Sequence, residues 1–278
     1  LGILPPPALD RRRADTGLTL AEHITRCGGD PAAIAPGRRL LPEGPIRCFL
    51  EAHIEQAPSL VEAGLPLAIC TGIPGNIRHA AIRIGGEDAH VGLPRRFRRD
   101  AALAGADLFT ALDAPWAEEE AGGRAMALTI GRFHTDATKH ELTVVAGDFT
   151  LSLDLRAYDA AHLAGLERSL HAIVAEVAAR RGVTIDLGAR NAAPIGPCDA
   201  TLQRELAEAA THMGIATMPL GSPASHDAAN FAAAGIPTGL LLIRNAHGSH
   251  NPREAMDTAD LMAAAATFAA WLHGSAGA

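Results

Sequence analysis

Thirteen histidines in a chain with one Tyr and two Trp is a high count, and two of them fall where ligands belong. His53 sits near the end of an alternating segment, Arg47 to Glu55, in which Leu50, Ala52 and Ile54 face one way and Glu51, His53 and Glu55 the other. His250 lies in the loop Gly248-Ser249-His250-Asn251-Pro252, just beyond the apolar run Thr238 to Ile243. The C-terminal edge of an α/β sheet is where sites form, and two imidazoles delivered there by different strands can share a metal ion. Spacing alone fits a hydrogen-bonded loop histidine equally well.

Delivering both side chains to one edge requires a particular organisation. The opening stretch, with Pro5-Pro6-Pro7 and Arg11-Arg12-Arg13, reads as loop until a short helical pattern over Leu18 to Ile24. From Asn76, Ala80, Ile82 and Ile84 alternate with polar neighbours until Gly85-Gly86. Asp100 caps a helix running to about Leu112, and Glu118-Glu119-Glu120 reads as a solvated turn. Met126, Leu128 and Ile130 alternate again, as do Phe149, Leu151, Leu153 and Leu155, which predicts antiparallel strands with one face uncovered. Asp159 caps a long helix with an apolar stripe, Gly182 stops it, and Val183 to Leu187 is a strand. The order strand, helix, strand, strand, helix, strand predicts a ferredoxin-like α/β sandwich over 76–189. After it come a helix over 200–213, a loop rich in Gly, Ser and Pro, and a helix starting near His226 that Ser225 can cap. A buried parallel strand over Thr238 to Ile243 follows, then a last helix burying Leu261, Ala265, Phe268 and Leu272. Segments 1–75 and 190–278 thus form one α/β domain that the sandwich interrupts.

Bulk properties exclude several classes of function. A composition 48% apolar and 20% charged is that of a globular protein, and a net charge of -7 argues against a phosphate-binding nucleic-acid footprint. No apolar run approaches the roughly 20 residues needed to span a bilayer. Cys27, Cys48, Cys70 and Cys198 form no C-x-x-C pair, which suggests neither a zinc ribbon nor a disulfide framework and fits a reducing cytoplasm. The run Arg95, Arg96, Arg98, Arg99 reads as a solvated helix entry near Asp100, with phosphate binding as the lesser alternative.

The segment Phe49-Leu50-Glu51-Ala52-His53-Ile54-Glu55-Gln56-Ala57-Pro58 resembles the F-L-E-x-H-I-E-Q-G-P signature of the N-carbamoyl-amino-acid hydrolase, β-ureidopropionase and allantoate amidohydrolase family. Gly64-Leu65-Pro66, Thr71-Gly72-Ile73, Gly86-Glu87-Asp88-Ala89-His90, Arg99-Asp100-Ala101, Ser152-Leu153-Asp154-Leu155-Arg156, His226-Asp227-Ala228 and Ser249-His250-Asn251-Pro252-Arg253-Glu254 follow in that family's order. The resemblance implies a zinc-peptidase-like catalytic domain interrupted by a lid that also forms a homodimer. It further implies two divalent metal ions, zinc or manganese, with His53 binding one and His250 the other. Gln56 and His226 would line the substrate site and Arg156 would pair with a substrate carboxylate. His90 would reach the substrate carbonyl oxygen across the dimer. The plainer alternatives are an Arg156 paired with Asp154 on a solvated sheet face and an exposed His90 in a lid loop.

The family's other metal ligands are an early histidine, an aspartate bridging both ions, and a glutamate beside the general-base glutamate. All belong before the position matching Leu1. The resemblance therefore implies an N-terminally truncated chain, inactive by itself, whose intact parent cleaves a C–N bond of N-carbamoyl or ureido acids. The alternative is a non-catalytic, dimerising or ligand-binding remnant. Two departures bear on substrate: Val91-Gly92-Leu93-Pro94 is a residue shorter than the family's H-A-G-T-T-P loop, and Thr143 stands where an asparagine is frequent.

Overall fold

The structure, a computed structural model, describes residues 2, 4–34, 46–139 and 141–275. His140, within the Lys139 to Thr143 turn, lies outside the described residues. The chain divides into two compact units, one of Leu1–Arg47 with Ala234–Ile236, the other of Cys48–Ala233 with Pro237–Ala278. In the first, α1 (Leu20–Arg26) starts two residues later than the periodicity predicts. Thr19 sets that start: its hydroxyl accepts the Glu22 N–H at 3.1 Å while the Glu22 carboxylate accepts the Thr19 N–H at 2.6 Å.

The second unit opens with β1 (Phe49–Ile54), α2 (Ser59–Ala63), β2 (Leu67–Cys70), β3 (Gly72–Ile73), β4 (Gly75–Gly85) and β5 (Ala89–His90). Next come α3 (Ala101–Ala121), β6 (Met126–Thr129), β7 (Phe133–Thr135), β8 (Val144–Val145), β9 (Asp148–Ala157) and α4 (Ala160–Arg181). After β10 (Thr184–Asp186), β11 (Arg190–Ala193) and β12 (Gly196–Pro197) the chain forms α5 (Ala200–His212), β13 (Thr217–Leu220) and α6 (Asp227–Ala233). It ends with β14 (Thr238–Ile243), β15 (Asn245–Ala246), β16 (Ala255–Met256) and α7 (Thr258–Ser275).

One sheet runs β1-β14-β2-β13. β14 is parallel to β1 but antiparallel to β2, so the expectation of a purely parallel strand is corrected to a mixed one. Its six residues are all buried because both faces are covered: Leu202, Leu206, Ala264 and Trp271 pack on one side, Ala228, Ala229 and Cys198 on the other. The loop expected before α6 contains the strand β13, which Pro219 disguises; a proline is tolerated there because β13 is an edge.

The other large sheet has the antiparallel order β10-β4-β9-β6, with β11 also on β4 and β7 on β9. Along β9 the residues alternate between buried and partly exposed, and α3 and α4 cover the buried side around Leu108, Leu151, Leu155 and Leu170. Each fully buried leucine there contributes about 1.5–3 kcal/mol. Helix α3 runs through Pro115 instead of ending near Leu112, and Glu118 to Glu120 are helical rather than a turn. Trp116 packs on the core and Glu119 pairs with Arg124 and His162, which holds the last turns despite the missing backbone donor.

Helix α7 is rotated from the predicted face. Asp260, Ala264, Thr267 and Trp271 are buried, while Leu261, Ala265 and Leu272 are exposed. Two polar anchors turn it: Asp260 accepts two hydrogen bonds from Arg244, and Trp271 Nε1 donates to Glu205 at 2.8 Å.

Candidate functional site

Residues following β1 and β14 meet at the C-terminal edge of that parallel pair. The Glu55 N–H donates to Ile243 O at 2.8 Å, the Gln56 N–H to Asn245 Oδ1 at 2.8 Å, and the Gln56 side-chain amide to Ser249 Oγ at 3.0 Å. Among the described residues, three non-glycines have positive φ, Gln56 (67°), His247 (65°) and His250 (59°), and all three lie in these two loops. Left-handed backbone at such residues costs on the order of 1 kcal/mol each and persists where surrounding contacts enforce it. The Glu254 carboxylate accepts from the Ser249 hydroxyl and from the His250 N–H, the latter at 3.1 Å, so it closes the second loop on itself. Those hydrogen bonds, Ser249's first, hold the Glu254 carboxyl below the usual range, with His250 and His53 adding electrostatic stabilisation.

The three polar residues at the end of β1 divide their work. Buried Glu55 accepts from the N–H groups of Ser59 (2.9 Å) and Leu60 (2.8 Å) and thereby caps α2. Glu51 accepts the Ala228 N–H at 2.8 Å in the first turn of α6; burial raises its pKa, partly offset by that bond. His53 is left for other partners. Its Nδ1 lies 2.9 Å from Ile54 O, and this contact orients the ring with Nε2 directed elsewhere.

His226 immediately precedes α6, with its side chain fully buried. Its ring meets that of His53 edge-on, the centroids 4.6 Å apart. Nε2 lies 2.5 Å from the Ser222 hydroxyl, while Nδ1 has no hydrogen-bond partner and stands 3.9 Å from Glu51 Oε1. Burial, and then the proximity of His53, push its pKa down to about 4, so the ring is neutral at physiological pH. The loop holding it is fixed from the six-stranded sheet. Tyr158 donates to Ser222 O at 2.5 Å, Arg156 Nη1 to Pro223 O at 3.2 Å, and Asn76 Nδ2 to Ser225 Oγ at 3.2 Å.

Arg156 thus stands beside the His226 loop, but it is already engaged. Its Nε and Nη2 donate to the two oxygens of Asp154 at 3.0 and 3.1 Å, and Arg78 donates to the same carboxylate at 2.7 Å. Burial works against ionisation of Asp154, yet the bonds from Arg156 and then Arg78 outweigh it and keep the carboxyl below its ordinary value. Two guanidiniums around one carboxylate leave a net positive charge and free N–H donors. His90 is exposed on the β5–β8 pair, where its Nδ1 accepts the Gly92 N–H at 3.1 Å, and makes no contact with this group.

The structure therefore brings His53 and His226 into contact, ties Gln56 to the loop bearing His250, places Arg156 at the His226 loop and leaves His90 apart. Sequence reasoning passed over Ser222, Tyr158, Asn76 and Arg78, whose relevance rests on contacts between distant segments. Glu51 and Glu254 were inside quoted motifs without a role assigned to them.

A pair of divalent ions was tested against these donors. Among the described residues no three His, Cys, Asp or Glu side chains are grouped to hold a metal. His53 and His226 are in ring contact, and the unpartnered Nδ1 of His226 stands 3.9 Å from Glu51 Oε1. These residues alone do not build the two-ion centre that the resemblance implies.

The family model for Peptidase family M20/M25/M40 matches residues 15–274. The chain is 31% identical over 257 residues to an N-carbamoyl-L-amino acid amidohydrolase of Geobacillus stearothermophilus, covering 91% of this chain and 60% of that protein. It is likewise 31% identical over 264 residues to the allantoate amidohydrolase of Escherichia coli, covering 92% and 60%. A hydantoinase/carbamoylase family amidase from Burkholderia ambifaria superposes with a TM-score of 0.74 at 30% identity, covering 98% of this chain and 63% of that one. The chain thus spans about 60% of the length of the relatives it matches. With the match extending over most of the sequence and over both large sheets, the chain belongs to peptidase family M20/M25/M40.

Proposed function

We propose that this chain serves in a metal-dependent amidohydrolase that cleaves a C–N bond of N-carbamoyl amino acids or of ureido acids such as allantoate. The observation that carries the reading is the strained, cross-linked junction of the loops after β1 and β14, in which the Gln56–Ser249 bond ties the segment following His53 to the loop that carries His250. The named relatives act on such compounds, and the excess positive charge at Arg78, Asp154 and Arg156 suits a substrate carboxylate. Arg156 would bind and orient that carboxylate with its remaining N–H groups. Gln56 and neutral His226 would complete the polar wall. The described residues do not by themselves assemble a metal cluster.

In this reading 76–189 is a ferredoxin-like lid that also dimerises, and 1–75 with 190–278 are the two parts of the catalytic domain. The strand order β10-β4-β9-β6 and the one-sided helix layer support the first assignment. The isolation of His90 from the other site residues supports its use by a partner subunit. No disulfide joins any pair among the described residues, and no described helix is long and apolar enough to cross a membrane, both compatible with a cytoplasmic enzyme.

The test is ammonia release by the full-length protein supplied with Zn²⁺ or Mn²⁺ and offered N-carbamoyl-L-amino acids, allantoate and 3-ureidopropionate. Turnover of at least one, abolished by His250→Ala, is expected. Turnover of dipeptides in preference to all three, or an unchanged rate in the variant, contradicts the assignment.

A further inference from the structure

Lined by none of these site residues, one cleft of about 1030 Å³, formed by the Arg95–Phe97 turn and the C-terminal end of α4, crowds six arginines together. Their charges are poorly matched. Arg99 pairs with Glu87, and Arg180 and Arg181 share Asp107, Arg180 also reaching Glu176. Arg98 is held by two backbone carbonyls, donating to Leu93 O at 2.7 Å and to Val91 O, so its position is fixed while its charge is not neutralised. Arg95 and Arg96 are exposed and make no ion pair with a carboxylate among the described residues. Asp100, the nearest further acid, is spent as the cap of α3.

An excess of two or three positive charges in one concavity is unexpected in a chain whose net charge is -7. Mutual repulsion of guanidiniums opposes folding unless an anion offsets it. The turn also exposes an aromatic ring: Phe97 is 56% accessible, with the Arg96 guanidinium 4.5 Å from its centroid. Guanidiniums in a concave array match the oxygens of a chain of phosphates, several of which can be held at once, better than they match a single carboxylate.

We infer that the cleft between the Arg95–Phe97 turn and the end of α4 binds a phosphate chain, as inorganic polyphosphate or as the polyphosphate of a nucleotide. Arg95, Arg96 and Arg180 contact the phosphates, Arg98 and Arg181 supply fixed positive charge, and Phe97 offers a surface on which a base stacks. The site is distinct from the His53–His226 group and does not depend on the proposed hydrolase activity.

Calorimetric titration of the full chain with sodium tripolyphosphate and, separately, with ATP tests this at about 150 mM salt, where diffuse surface attraction is largely screened. Saturable binding of at least one is expected, weakened by about tenfold or more in the double variant Arg95→Ala/Arg96→Ala. Both arginines are exposed, and an unchanged melting temperature verifies that the variant is folded. Equal affinity for the two ligands identifies an inorganic chain. Tighter ATP binding that Phe97→Ala reduces to the tripolyphosphate level identifies a nucleotide. No saturable binding of either, or binding that the double variant leaves intact, overturns the inference.

Discussion

At the scale of single residues, the two loops at the sheet edge depend on buried polar groups whose partners are all backbone or neighbouring side chains. Glu55 shows the consequence most simply. Its carboxylate is wholly buried and occupied by the two N–H groups that begin α2, so Glu55→Ala leaves those donors unsatisfied. A loss of about 1–2 kcal/mol in chemical denaturation is expected, a value typical of a lost helix cap. A change within about 0.5 kcal/mol would show that α2 does not rely on this residue. His53, His250 and Gln56 were legible in the sequence because they lie in dense local motifs. The partners that fix them were not, since the Gln56–Ser249 and Tyr158–Ser222 contacts join residues 193 and 64 positions apart, which no periodicity announces.

At the scale of elements, local capping signals were read correctly where one side chain sufficed. Asp100 and Asp159 each accept an N–H from three residues ahead, as their positions before the helices suggest, while Asp199, which caps α5 in the same way, was not read as a cap. Reading failed where tertiary contacts decide: the face of α7, the length of α3 and the strand β13. Helices α3 and α4 are themselves joined by Asp107, which accepts from Arg181 at 2.7 and 2.8 Å and from Arg180 at 3.1 Å. The Arg181 hydrogen bonds chiefly hold the Asp107 carboxyl below its ordinary pKa. With the folded value depressed, this contribution is complete above the unfolded pKa near 3.9 and is lost as pH falls through the folded value. Asp107→Asn should therefore lower the melting temperature at pH 7 by roughly 2–4 °C, for about 1 kcal/mol, and the loss should shrink as pH is brought down below about 4. An equal loss in both pH ranges would contradict the ion-pair account. The packing of α6 on β12 is a second element-scale contact. A Cβ on Gly196 would stand 2.7 Å from Ala229 Cα, so Gly196→Ala should displace α6 and weaken ligand binding at His226 more than it lowers stability. Unchanged binding with lowered stability would show that α6 does not position that histidine.

At the scale of the whole molecule, the four-stranded sheet supplies the edge where His53 and the His250 loop meet, and the six-stranded sheet supplies the charge. Asn76, Arg156 and Tyr158 reach from β4, from β9 and from just beyond it to the loop before α6, so ligand contacts depend on both sheets at once. On this geometry the junction receives a carboxylate-bearing ligand through Arg156. The most direct measurement is an NMR titration of the full-length protein with an N-carbamoyl-L-amino acid and with its uncharged carboxamide. The acid should bind about tenfold or more tightly than the amide, and Arg156→Ala should erase the difference. Equal affinities in the unaltered protein, or a preference for the acid that survives Arg156→Ala, would contradict it.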